Sequence, residues 1–112
     1  MKEREIRDYI NDLIEACEDS LIFTEGMSFE EFSEDKKTIS AVIRSLEVIG
    51  EATKNLSLDF KLKYPDIPWK QMAGMRDKLI HEYFGVEKQM VWQVVEKHIP
   101  QILLFLKNLS ID

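Results

Sequence analysis

Cysteine and histidine are nearly missing from this sequence: 112 residues contain Cys17, His81 and His98 and no others of either type. Cys17 has no partner for an intrachain disulfide, and no zinc or histidine-rich metal site can be assembled from so few ligands. Four glycines and three prolines leave little material for linkers or low-complexity segments. No run of 18 uncharged apolar residues occurs, and the opening Met1-Lys2-Glu3-Arg4-Glu5-Ile6-Arg7-Asp8 is charged with no apolar stretch behind it. A membrane span and an export signal are therefore not expected, and with the lone thiol this points to the reducing cytoplasm. Glycine-rich phosphate loops, His-Glu-x-x-His, Gly-x-Ser-x-Gly and acidic calcium loops are also missing. Neither a metal nor an organic cofactor is expected.

What is present is 45% hydrophobic residues interspersed with 32% charged ones, the composition of one compact domain spanning 1–112. The net charge of −6 repels nucleic acid and anionic membrane on average. Its distribution is uneven. Residues 1–35 carry 3 basic and 12 acidic side chains, whereas residues 54–78 carry 6 basic and 3 acidic. The second stretch is either a lysine-rich loop beside a solvated acidic helix or the place where a phosphate-bearing partner binds.

Apolar residues recur at helical steps throughout. Ile6, Tyr9, Ile10, Leu13, Ile14, Cys17 and Leu21 form one stripe, closed near Gly26. Ser28-Phe29-Glu30-Glu31 is a capping box that starts a turn or short helix. A long helix is expected from about 35 to 56 on Ile39, Val42, Ile43, Leu46, Ile49 and Leu56, with Gly50 marking a close backbone approach. Ser57 caps a short helix that Pro65 stops, and Pro68 opens the next, which runs toward Gly85. The last helix, about 87–109, contains Pro100 and should kink there. Its Leu104 and Phe105 exceed one core stripe, which implies either a dimer face or a fully buried helix. No β-period segment appears, so the expected fold is all-α: an antiparallel up-and-down four-helix bundle with short additional helices.

Chemistry concentrates in Met75-Arg76-Asp77-Lys78-Leu79-Ile80-His81-Glu82-Tyr83-Phe84-Gly85. Arg76, His81 and Tyr83 bring a fixed cation, a group titrating near neutrality and a phenol next to the basic stretch. Metal-free RNA cleavage needs a base at the 2′-hydroxyl, an acid for the leaving oxygen and a cation for the phosphorane. At roughly 100° per residue, Arg76 and His81 stand about 140° apart on a straight helix, whereas Asp77 and His81 share a face. Either the helix ends or bends before His81, or two copies combine their halves across a two-fold axis. The alternative is purely structural, with Arg76 paired to a carboxylate and Asp77 to His81. Arg44 and Glu51 lie seven apart on one face, and Glu51 either orients Arg76 or His81 or makes a plain ion pair. His98 falls in the apolar register of the last helix as a core-edge residue. Trp69 and Trp92 are expected as core anchors rather than base-stacking platforms.

The spacing Arg76, four residues, His81, one residue, Tyr83 resembles the signature of HepT-like proteins of the HEPN superfamily. Ile49-Gly50-Glu51-Ala52, Tyr64-Pro65-Asp66-Ile67-Pro68-Trp69, His81-Glu82-Tyr83-Phe84-Gly85-Val86 and Val91-Trp92 resemble the same family in the same order. The resemblance implies an all-helical dimer acting as the ribonuclease toxin of a type VII toxin–antitoxin pair, with a minimal nucleotidyltransferase of the MntA type as antitoxin. It further implies Arg76 and His81 as catalytic residues and Tyr83 as the tyrosine that receives AMP. Asp77 stands where the commonest pattern has asparagine, and with Glu51 it is a supporting residue. The competing reading is a non-catalytic helical subunit that binds nucleotide or presents a face to the nucleotidyltransferase.

Overall fold

The computed structural model describes residues 4–82 and 88–109, with residues 78–82 by their backbone alone. Among the described residues, four long helical segments and two short ones follow in chain order: α1 (Ile6–Thr24), α2 (Phe29–Ser33), α3 (Lys36–Lys54), α4 (Leu58–Lys63), α5 (Trp69–Glu82), and a C-terminal helix made of α6 (Lys88–Gln93), a π-turn (Val94–His98) and α7 (Ile99–Lys107). No strand occurs among the described residues. The expected all-α bundle with short additional helices is the observed one.

Local chemistry sets most boundaries. Gly26 takes φ +76 just beyond α1, a conformation that L side chains rarely adopt. At α2 the Glu31 N–H donates to Ser28 Oγ at 3.1 Å while the Ser28 N–H donates to Glu31 Oε1 at 3.0 Å, the anticipated capping box. Asp35 caps α3 by accepting from the Thr38 N–H at 3.0 Å, and these hydrogen bonds hold its carboxyl below the ordinary range. Ser57 caps α4 through the Phe60 N–H at 3.2 Å. Pro68 lies one position before the first residue of α5 rather than within it, with its carbonyl accepting from the Met72 N–H at 3.0 Å. The expected stop at Gly85 lies outside the described residues.

Helix α3 is the centre of the bundle, packed along α1 on one side and α5 on the other. It buries Val42, Ile43, Leu46, Ile49, Gly50, Ala52 and Thr53, and the Thr53 hydroxyl turns back to donate to the Ile49 carbonyl at 2.7 Å. The face of α1 is narrower than its apolar stripe suggested. Ile10, Leu13 and Cys17 are buried, Ile6 is exposed, and the line continues through Ser20 and Thr24. Those two hydroxyls are buried because each donates to a carbonyl one turn back, Ser20 to Cys17 at 2.9 Å and Thr24 to Ser20 at 3.1 Å. Both tryptophans are core anchors. Trp69 is buried with Nε1 donating to the Lys61 and Tyr64 carbonyls, and Trp92 packs against Phe29 and Phe32.

Pro100 acts in the C-terminal helix one turn earlier than a simple kink would. The Ile99 N–H reaches five residues back to the Val94 carbonyl, and Pro100 then sits in the first turn of α7, where a missing N–H is tolerated. This wide turn changes the register. Val91, Val95, Ile99, Ile102 and Leu106 form the buried line, while His98 is exposed rather than held at the core edge. Of the two surplus apolar residues, Leu104 is 63% exposed, whereas Phe105 is half-buried and packs against the core.

Candidate active site

The site forms where α5 runs back along α3. Gly50 makes this approach possible: a Cβ there would stand 2.9 Å from both the Cβ and the backbone N of Arg76 and 3.4 Å from the Ala73 carbonyl oxygen. The short separation brings four charged side chains into two ion pairs across the helix interface. Glu51 Oε1 of α3 lies 3.5 Å from Arg76 Nε of α5. Lys54 Nζ, one turn further along α3, donates to both carboxylate oxygens of Asp77 at 2.9 and 3.0 Å. Arg44 extends from two turns earlier on α3 to place Nη1 3.8 Å from the same Glu51 Oε1.

Arg76 is therefore held at its root and open at its tip. Its Nε is buried and has no hydrogen bond, because the approach to Glu51 is too long for one, while the side chain as a whole is 42% exposed. With Nε buried and 42% of the side chain exposed, the guanidinium keeps part of its surface open to a ligand, and its planar fork matches phosphate. Asp77 adds a negative charge beside it, but Lys54 shares that carboxylate and offsets the repulsion an incoming phosphate would feel.

The predicted residues thus separate. Glu51, Arg76 and Asp77 come together, and Glu51 meets both anticipated readings, facing Arg76 and pairing with Arg44, while Asp77 pairs with Lys54. His81 belongs to the continuous helix α5, which rules out a helix end before it. On helical geometry its position stays about 140° from Arg76. The His81 side chain and Tyr83 lie outside the described residues. Lys54 was missed by sequence reasoning, and no periodicity could have flagged it, since its role depends on where α5 crosses α3.

On the flank of α5 away from α3 a groove of about 540 Å³ opens toward the C-terminal helix, lined by Gln71, Gly74, Met75, His98, Ile102 and Phe105 among others. A second groove of about 560 Å³ lies between α1 and α3, with Asp12, Glu15 and Asp19 on one wall and Arg44 and Glu51 on the other. Among the described residues no group of His, Cys, Asp and Glu could hold a metal ion, and no helix is long and apolar enough to cross a membrane.

An all-α bundle with Arg-x4-His spacing on α5 is consistent with a HEPN-like class, and the family comparison supports it. The family model described as "Ribonuclease HepT-like" matches residues 13–109. The chain is 52% identical over 100 residues to a protein of Thermococcus cleftensis named "Probable ribonuclease HepT", covering 89% of this chain and 91% of that one. It is also 52% identical over 100 residues to a protein of Methanocaldococcus jannaschii named as a candidate RNase, covering 89% and 83%. A further relative named in the same way, from Caldanaerobacter subterraneus, is 47% identical over 96 residues, covering 86% of each chain. No solved structure matches the chain. The chain belongs to the ribonuclease HepT-like family.

Proposed function

We propose that this protein is a metal-independent endoribonuclease, the toxin of a type VII toxin–antitoxin pair, working in the cytoplasm as a single-domain homodimer. The observation that carries this reading is Arg76: a guanidinium set close against Gly50 and 3.5 Å from Glu51 on the basic part of the chain, with 42% of its side chain exposed, in a family of ribonucleases. His81 accepts the proton of a ribose 2′-hydroxyl, the freed oxygen attacks phosphorus, and Arg76 balances the charge of the phosphorane. The P–O5′ bond breaks, the leaving oxygen takes up a proton, and the product strand ends in a cyclic phosphate. Glu51 and Asp77 support the site, Glu51 by fixing Arg76 until substrate arrives. The angular offset of His81 is bridged by a second copy, for which the open flank of α5 and the exposed Leu104 provide surface.

The antitoxin is a minimal nucleotidyltransferase that transfers AMP to Tyr83. Negative charge and bulk there block entry of the RNA phosphate. The test incubates wild-type protein, Arg76→Ala and His81→Ala with RNA in EDTA and reads the product ends. Cyclic phosphate from the wild type alone supports the reading. A wild type inactive on every RNA tried leaves the non-catalytic partner-binding subunit in its place.

A further inference from the structure

Glu51 Oε1 is shared. Arg76 Nε approaches it at 3.5 Å from α5 and Arg44 Nη1 at 3.8 Å from α3. Neither distance is that of a charge-assisted hydrogen bond, which closes to about 2.7–2.9 Å. Both arginines keep much of their surface in water, Arg44 at 66% and Arg76 at 42% exposed. Two guanidiniums held loosely around one carboxylate oxygen form a site that a better-matched anion takes over, since solvent screening makes the internal pairs weak. A phosphodiester presents two non-bridging oxygens that two forks can divide between them, whereas both arginines here approach the same atom, Glu51 Oε1.

We propose that Arg44 is a second phosphate-binding residue, that Arg44 and Arg76 together grip the backbone of a single-stranded RNA, and that Glu51 is the internal placeholder displaced when the strand arrives. This rests on the ribonuclease reading for the identity of the ligand. The direction of approach is also set. Asp12, Glu15 and Asp19 line the α1 wall of the groove beside Arg44, and although Arg4 pairs with Asp12 at 2.9 Å the wall keeps a net negative charge that repels a strand on that side. The phosphate therefore enters over the α3–α5 edge, where Lys54 offsets Asp77. Arg76 Nε and Arg44 Nη1 lie 3.5 and 3.8 Å from the same Glu51 oxygen, so the two cations are close enough to act together on one stretch of phosphate backbone.

The experiment measures binding of a short single-stranded DNA, which has no 2′-hydroxyl to react, by fluorescence anisotropy across a salt series. Arg44→Met should weaken binding on the order of tenfold and lower the salt slope by about 0.7, the loss of one phosphate contact. Arg44→Lys should keep the slope and lose only part of the affinity. Glu51→Gln should tighten binding, because the competitor is gone. The proposal is overturned by Arg44→Met binding like wild type, by Glu51→Gln binding more weakly, or by wild type failing to bind at low salt. Failure of the enzymatic reading is separate: a wild type that binds with this pattern and cleaves no RNA keeps the phosphate grip and loses the nuclease.

Discussion

The backbone of Gly50 touches Arg76 so closely that a single methyl group between them would sit 2.9 Å from both its Cβ and its amide nitrogen. Alanine is otherwise the better helix former by about 1 kcal/mol. At this position the obstacle is backbone, which cannot rotate away, so overpacking decides the sign. Gly50→Ala should destabilise the protein by about 1–3 kcal/mol and push α5 off α3. Thermal melting checks the first expectation, and loss of RNA cleavage exceeding the loss of folded protein checks the second. A melting temperature at or above that of wild type would mean that the helices are free to separate.

Much of this architecture was legible because local rules wrote it. Ser28 with Glu31, Ser57, Gly26 and Pro65 each act within a few residues, and the structure places helix ends where they indicate. Ser20, Thr24 and Thr53 were invisible as core because a hydroxyl reads as polar until its donor is seen turned onto the preceding turn. His98 and Ile99 exchanged places because a π-turn adds a residue to the register, and periodicity assumes a constant turn. At the site, Gly50, Glu51, Arg76 and Asp77 were named from sequence. The Arg44–Glu51 pair was also legible from spacing along α3, whereas the Lys54–Asp77 pair depends on the crossing of two helices, which spacing along one chain does not encode.

Cys17 is fully buried, and burial pushes its thiol from 9.0 up to about 12, with the Glu18 carboxylate adding to the effect. A thiol that is harder to ionise when folded contributes stability that is fully present below pH ~9 and is lost progressively as pH rises toward 12. Denaturant midpoints should fall above pH ~9 in the wild type and fall less in Cys17→Ala, after allowing for the constant cost of the cavity. The native thiol should also resist a disulfide reagent near pH 8 and react fully in denaturant. Rapid labelling of the folded protein would contradict the burial.

Lys54 and Asp77 are both substantially exposed, so their pair stabilises the fold by no more than about 1 kcal/mol and its value lies in charge balance. Asp77→Asn should leave Lys54 as an added cation and tighten RNA binding a few-fold at low salt. Lys54→Met should leave the carboxylate uncompensated by that ammonium and weaken binding to a similar degree. The double variant should return close to wild type, and all three differences should shrink at high salt. Equal losses in both single variants would instead assign the pair a structural role in holding α5.

The proposed composite site predicts a particular outcome for mixtures. Helix α5 continues from Trp69 through Glu82, and on straight-helix geometry the positions of Arg76 and His81 in one copy are about 140° apart, which is the reason for proposing that two copies share each site. If each active site takes Arg76 from one copy and His81 from the other, Arg76→Ala and His81→Ala homodimers are both inactive, because every site lacks one member. Mixing them changes this. A heterodimer places both substitutions in one of its two sites and leaves the other with an intact Arg76 and an intact His81. With random exchange about half of the dimers are heterodimers, and half of their sites are whole, so the mixture should recover about a quarter of wild-type activity. The measurement unfolds and refolds the two variants together, verifies exchange by mass, and compares RNA cleavage with each variant alone. A site built within one copy predicts no recovery at any ratio, since every site then carries one substitution.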